Sequence, residues 1–82
     1  MWSYKKEEKG YRLYANTEPI NFTVLIPFKS YLDGENKTII YWTEDKIKKL
    51  VNGLNNGEIP ISFKKMSKEG IIFTTKLPKE FY

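Results

Sequence analysis

One amphipathic stripe constrains the fold of this 82-residue chain more than any other feature of its sequence. Thr43 is a suitable N-cap, because its hydroxyl can accept a hydrogen bond from an early backbone N–H of a helix. Glu44 and Asp45 would follow at the positive end of the helix dipole, and Gly57 can terminate the helix. We therefore predict one helix at about 43–55. Its apolar residues recur at i, i+3, i+4 and i+7 and would form a single buried face: Ile47, Leu50, Val51 and Leu54.

Apolar and polar residues alternate with a period of two through most of the remaining chain, which is typical of β-strands. Gly10 ends a polar stretch and is predicted to take the positive-φ position of a hairpin loop. Pro27 has no N–H, so its end of the strand should lie at a sheet edge or at a bulge. Residues 33–36 are predicted to turn the chain. The predicted strands are Trp2–Lys6, Tyr11–Ala15, Ile20–Phe28, Thr38–Trp42, Pro60–Met66 and Ile71–Leu77.

These elements predict an α+β fold. One helix cannot bury so many strands that carry apolar residues on both faces, so we expect a small antiparallel, or mixed, sheet of four to six strands with the helix at about 43–55 packed on one face. A chain of this length has room for one core, and residues 1–82 should form a single domain. The second face of the sheet would also carry Tyr, Leu and Phe, so we expect it to be partly covered or to bind a partner.

The chain contains no His and no Cys, which excludes several classes of chemistry. A Ser-His-Asp triad, an imidazole base and a thiol nucleophile are all impossible, and structural zinc lacks its usual ligands. The carboxylates fall in predicted turns and at the start of the helix, and residues 33–36 fit a hairpin turn better than a calcium loop. No glycine motif for phosphate binding is present. We therefore predict no enzymatic activity, no metal and no cofactor.

The chain also lacks the apolar segments that membranes require. Its longest uninterrupted apolar run covers residues 24–28, far short of the roughly 20 residues that span a bilayer, and its first residues do not resemble a signal peptide. The absence of Cys is compatible with a reducing compartment, so we expect a cytoplasmic protein that does not bind membranes. The abundance of Lys, Ile, Asn and Tyr is typical of AT-rich genomes, which favours an accessory protein of a phage or mobile element.

Basic residues outnumber acidic ones, 14 against 10, which gives a net charge of +4. Lys48 and Lys49 follow Glu44 and Asp45 by four residues, the favourable order for ion pairs along a helix, so we interpret them as a solvated helix face. The last hairpin differs, because its lysines have only Glu69 nearby. They suit either a strand edge that resists aggregation or a contact surface for an acidic partner: Lys64, Lys65, Lys68 and Lys76.

Two Trp, six Tyr and five Phe are more aromatic residues than so small a core can bury. An exposed Tyr or Trp beside a Lys suits either base stacking or a protein-binding hot spot. Arg12 and Tyr14 alternate with Tyr11, Leu13 and Ala15, so they would share the opposite face of their strand. We add Arg12 and Tyr14 to the four hairpin lysines as candidate partner-binding residues.

Together these features favour a small non-enzymatic protein that binds a macromolecular partner, such as an inhibitor of a host factor. A protein partner is favoured over nucleic acid, because the chain has a single arginine and little capacity for bidentate reading of guanine. The main alternative is sequence-tolerant nucleic-acid binding through the lysine hairpin and exposed aromatics. A second alternative is a homo-oligomer that pairs through an exposed sheet face or edge and binds a small ligand between subunits.

Overall fold

The computed structural model describes residues 1–17, 20–32, 38–59, 62–67, 70–74 and 77–82, and at 16–17, 20–22, 62–67 and 70–74 the description is of the backbone. The described elements follow the order β-β-β-β-β-α-β-β and end in a short 3-10 helix. They are β1 (Trp2–Lys6), β2 (Gly10–Thr17), β3 (Ile20–Pro27), β4 (Lys29–Ser30), β5 (Ile40–Tyr41), α1 (Glu44–Asn55), β6 (Ser62–Ser67), β7 (Gly70–Thr74) and the 3-10 helix at Lys79–Phe81.

The strands pair antiparallel throughout the described chain, which confirms the α+β class. They form a three-stranded sheet in the order β1-β2-β3 and two separate two-stranded ladders, β4-β5 and β6-β7, in place of one sheet of four to six strands. Pro27 lies at a sheet edge, as predicted. It ends β3 at the edge of the three-stranded sheet, where its missing N–H cannot donate to a further neighbour.

Gly10 has a different role from the predicted one. It does not adopt a positive φ; it is the first residue of β2 and pairs with Pro27 of β3. A Cβ atom at Gly10 would overlap the backbone carbonyl of Ile26. The glycine is therefore required because β2 and β3 approach closely at this point, while the turn itself is closed by the Glu7 N–H, which donates to the Gly10 carbonyl over 2.7 Å.

Helix α1 begins and ends as predicted. The Thr43 hydroxyl oxygen accepts a hydrogen bond from the Lys46 N–H at 3.3 Å, which is the N-cap interaction. Gly57 has a φ of 73°, the left-handed conformation that glycine adopts without steric cost. This conformation turns the chain so that the Glu58 N–H reaches the Gly53 carbonyl at 2.9 Å, as in a Schellman motif.

The core lies between α1 and one face of the β1-β2-β3 sheet, which we call the inner sheet face. Alternation places Tyr11 and Leu13 of β2 on this face, while Arg12 and Tyr14 lie on the opposite, outer sheet face. Leu50 is fully buried at the centre of the helix stripe. The buried residues that join Tyr11, Leu13 and Leu50 in one cluster are Ile26, Ile40, Trp42, Ile47, Val51, Leu54, Ile59, Leu77 and Phe81.

The C-terminal 3-10 helix completes this core, although no sequence pattern assigned it to an element. Phe81 is buried and packs beside Trp42, with ring centroids 6.0 Å apart. The Trp42 indole N–H donates to the Ser30 carbonyl at 3.3 Å, which satisfies its polar end. The last residues of the chain therefore cover the side of the core formed by the β4-β5 ladder.

Two polar contacts attach β1 to the helix. The Asn55 side chain accepts from the Trp2 N–H at 2.6 Å and donates to the Trp2 carbonyl at 3.0 Å, so one amide pairs with both backbone groups of an edge strand. Near the start of α1, the Tyr4 hydroxyl donates to Glu44 Oε1 at 3.1 Å. Strand β1 is therefore held near both ends of the helix that packs on it.

Truncation of the central helix residue tests this core. We expect Leu50→Ala to lower the free energy of unfolding by about 2–5 kcal/mol, because it removes buried methyl groups and leaves a cavity. The free energy of unfolding of a native domain is only about 5–15 kcal/mol, and a domain this small belongs near the lower limit. Urea unfolding followed by circular dichroism measures the loss. Lys49→Ala, on the exposed face of the same helix, is the control, and equal unfolding midpoints for the two variants would contradict the packing.

Candidate functional site

The lysine hairpin is the first candidate surface. Lys64 and Lys65 lie in β6, while Lys68 and Lys76 lie outside the described residues. The pairing register of β6 with β7 shifts between Phe63 and Lys65, so Lys64 has no residue directly opposite it. An irregularity of this kind bends and twists a strand, and it is frequent at sheet edges and beside functional sites.

Arg12 and Tyr14, the other two candidates, lie together on the outer sheet face. They are separated by one residue on β2, the central strand, and both are half-buried. Arg12 is paired locally: its Nε donates to Glu7 Oε2 and its Nη2 to Glu7 Oε1, each at 3.2 Å. A carboxylate therefore already occupies one side of this guanidinium, and a further anion, whether carboxylate or phosphate, would bind its remaining N–H groups.

The helix lysines form a solvated face, as predicted. Lys48 and Lys49 are exposed, and within the described residues no salt bridge joins them to Glu44 or Asp45. The two predicted ion pairs are therefore not formed. One reason is that Glu44 accepts the hydrogen bond from Tyr4 instead. Another is that a long exposed lysine side chain gains too little free energy from one ion pair to be held in a single geometry.

A fourth surface was not identified from the sequence. In the β4-β5 ladder Lys29 lies opposite Tyr41, and Ser30 lies opposite Ile40. Tyr31 and Ile39 are two residues away from Lys29 and Tyr41, respectively, so alternation places them on the same face as that pair. Tyr41 is 64% exposed, Tyr31 46% and Ile39 43%. The Lys29 ammonium lies 5.5 Å from the centre of the Tyr41 ring, within the range of a cation–π interaction. We call this surface the hairpin patch: Lys29, Tyr31, Ile39 and Tyr41.

The sequence does contain a signal for the hairpin patch. Residues 39–42 are four consecutive apolar or aromatic residues in a predicted strand, so both faces of the strand are apolar. Only Ile40 and Trp42 are buried, because they face the core. Ile39 and Tyr41 must then lie on the opposite face, which remains open to solvent.

Across the described residues, no group of three or more His, Cys, Asp or Glu side chains is placed to hold a metal ion. No helix in the described part of the chain is both long enough and apolar enough to cross a membrane.

Comparison with known proteins assigns neither a family nor a function to the chain. The chain matches no protein-family model, and no curated protein or solved structure is significantly similar to it. Function is therefore inferred from the surfaces themselves.

Among the described residues, Tyr4 is the titratable group whose pKa is clearly shifted by its surroundings. Partial burial of the ring, the hydrogen bond to Glu44 and the negative charge of Glu44 raise the pKa of Tyr4 above its ordinary value. All three effects favour the neutral phenol, which can donate to the carboxylate, over the phenolate, which cannot. This hydrogen bond joins β1 to the helix, so loss of the Tyr4 proton should lower the stability of the fold.

We expect Tyr4 to ionise later than an ordinary tyrosine, whose pKa is about 10. Between the pKa of Tyr4 in the unfolded chain and its higher pKa in the folded protein, the native state still holds a proton that the unfolded chain has lost. The contribution of this proton to the free energy of unfolding is therefore complete below the unfolded pKa, and it is lost as the pH rises through the folded pKa. Glu44→Gln should move the pKa of Tyr4 part of the way back, since partial burial remains. Tyrosine NMR signals followed through the titration measure this, with Glu58→Gln as the control; an unchanged Tyr4 titration in Glu44→Gln would contradict the assignment.

Proposed function

We propose that this protein is a small non-enzymatic binding protein that docks on another protein. The observation that supports this most directly is the hairpin patch, where two tyrosines and an isoleucine are exposed next to a lysine. Tyrosine is enriched at the centres of protein interfaces, where its ring is buried and its hydroxyl still finds a polar partner. The exposed parts of Tyr31 and Tyr41 together equal about one aromatic side chain, roughly 200 Å².

The patch has the size of an interface centre. A stable protein–protein contact buries roughly 800 Å² on each partner, so polar surface around the patch must contribute most of the area. Lys29 begins such a rim, because its aliphatic stem can lie along the Tyr41 ring while its ammonium stays in water. The apolar centre would supply most of the affinity and the rim its selectivity.

Basic residues outside the hairpin patch are also part of the proposed binding function. We propose that the hairpin lysines Lys64, Lys65, Lys68 and Lys76 steer an acidic partner, and that Arg12 and Tyr14 contribute to the contact. Steering needs only a positive potential, which the net charge of +4 supplies. The candidate class is an accessory protein of a phage or mobile element that inhibits a host factor.

Sequence-tolerant nucleic-acid binding is the second candidate, favoured by the lysines of the last hairpin. It is weaker because single-stranded nucleic acid is bound by several stacking rings, whereas among the described side chains of the outer sheet face Tyr14 beside Arg12 offers one. Salt separates the two functions. Nucleic-acid binding weakens steeply as salt rises because counterions are released, whereas a contact centred on apolar side chains weakens little.

Removal of the exposed apolar groups tests the docking surface. We expect Ile39→Ser combined with Tyr41→Ser to weaken binding of the partner protein by at least about tenfold, because hot-spot residues contribute about 2 kcal/mol or more each. Partner protein is captured from lysate of the source cells, identified by mass spectrometry, purified and titrated by calorimetry. Lys49→Ser with Asn52→Ser, on the exposed side of α1, is the matched control. Equal affinities for both double variants, or retention of nucleic acid alone, would contradict the proposal.

Charge reversal tests the role of the lysine hairpin. Lys64→Glu with Lys65→Glu should slow association by roughly tenfold at low salt and by less at high salt, because the steering field is reversed locally. The same reversal at Lys48 and Lys49 should leave association almost unchanged. Both variants are first checked for folding by circular dichroism and then measured by surface plasmon resonance. If only the helix reversal slows association, the contact surface lies over α1.

A further inference from the structure

The outer sheet face carries an unfavourable pair of like charges. The strand register places Lys5 of β1 directly opposite Arg12 of β2. Like charges opposite each other on one face of an antiparallel pair lower the stability of the sheet. Lys5 is exposed and Arg12 half-buried, so the two cations share a surface that solvent screens only in part. An anion bound between them would remove this repulsion.

Part of the repulsion is already offset within the chain. Glu7 pairs with the Nε and Nη2 of Arg12, which shows that a carboxylate fits against this guanidinium. The compensation is incomplete, because residues 5–12 contain four cations, three Lys and one Arg, against two carboxylates, a local charge of +2. Of these four cations, Lys5 and Arg12 lie on the side of the sheet that faces away from α1.

Apolar surface lies next to the two cations. Leu25 of β3 is directly opposite Arg12, and Tyr14 lies two residues along β2. Both side chains point to the outer sheet face and are half-buried. The helix packs on the inner sheet face and does not cover this side. The outer sheet face therefore combines two cations with a tyrosine ring and a leucine.

We propose that the outer sheet face binds an acidic segment of the partner protein, with carboxylates between Lys5 and Arg12 and an apolar side chain on Tyr14 and Leu25. The inference rests on the proposed function and adds the chemistry of the partner. Charge-assisted hydrogen bonds from an ammonium and a guanidinium are among the stronger polar contacts available to a carboxylate. The apolar pair beside them discriminates against simple anions.

Two other occupants fit this face less well. Sequence-tolerant binding of single-stranded nucleic acid uses a positively charged track and several stacking rings, and the described side chains of this face offer only one ring, that of Tyr14. A second copy of the chain would bring Lys5 and Arg12 of one protomer against those of its partner. An acidic protein segment is the occupant whose charge complements the face.

The test uses the full chain as bait for a yeast-displayed library of random dodecapeptides. We expect the enriched peptides to contain an excess of Asp and Glu together with an apolar residue. For a synthetic peptide of the enriched sequence, Lys5→Glu should weaken binding at least about tenfold, since an attraction becomes a repulsion. Lys48→Glu makes the same charge change on the helix face and should leave binding within about twofold.

Stability measurements exclude misfolding as the cause. Lys5→Glu places opposite charges across the strands, so its urea unfolding midpoint should equal or exceed that of the unsubstituted protein while peptide binding is lost. Enriched peptides without an acidic excess, no enrichment above the empty display strain, or equal losses in Lys5→Glu and Lys48→Glu would each overturn the inference. Tighter binding of oligothymidylate than of the peptide, lost in Lys5→Glu, would also overturn it in favour of nucleic acid.

The two proposals fail in different ways. If a captured protein partner is lost with Ile39→Ser and Tyr41→Ser but retained by Lys5→Glu, the docking function stands and the acidic-segment inference is wrong. If the chain retains only nucleic acid, both are wrong. If Lys5→Glu alone releases the partner, the inference stands and the hairpin patch is not the centre of the interface.

Discussion

The burial of the α1 stripe against the inner sheet face is the constraint on which the rest of the structure depends. The three-stranded sheet has one helix to cover it, and side chains along a strand alternate between its two faces. Once Leu13 and Tyr11 face the helix, Arg12 and Tyr14 must face the other way. The same alternation in β5 buries Ile40 and exposes Tyr41. Both candidate binding surfaces are therefore geometric consequences of how this core is built.

Local signals explain why α1 could be predicted from the sequence. The cap at Thr43, the left-handed Gly57 and the apolar stripe each act within one or two turns, and nothing distant in the chain needs to be known to interpret them. The strands of the first hairpin were predictable for the same reason. Gly10 was misinterpreted because its requirement comes from the close approach of Ile26 on another strand, which the local sequence does not show.

The features that were not predicted depend on contacts between distant residues. Phe81 belongs to no periodic pattern and is explained by the Trp42 ring that it packs against. The hairpin patch depends on which face of the apolar run at 39–42 the core accepts. Of the six candidate residues, Arg12 and Tyr14 were correctly placed on one face, while Lys68 and Lys76 lie outside the described chain. Which function these residues perform is a question of partners that propensity and periodicity do not address.

Stability and binding make opposite demands on the outer sheet face. A domain of this size has a small margin of stability, and a cross-strand pair of Lys5 and Arg12 lowers it. Glu7 reduces the cost from within the turn, yet it pairs with Arg12 alone. If folding were the only requirement, an acidic residue opposite Arg12 would serve better than Lys5. The proposed acidic segment would relieve this repulsion, beside a half-buried tyrosine and leucine on the face opposite the helix, and would so turn a cost in stability into a gain in binding.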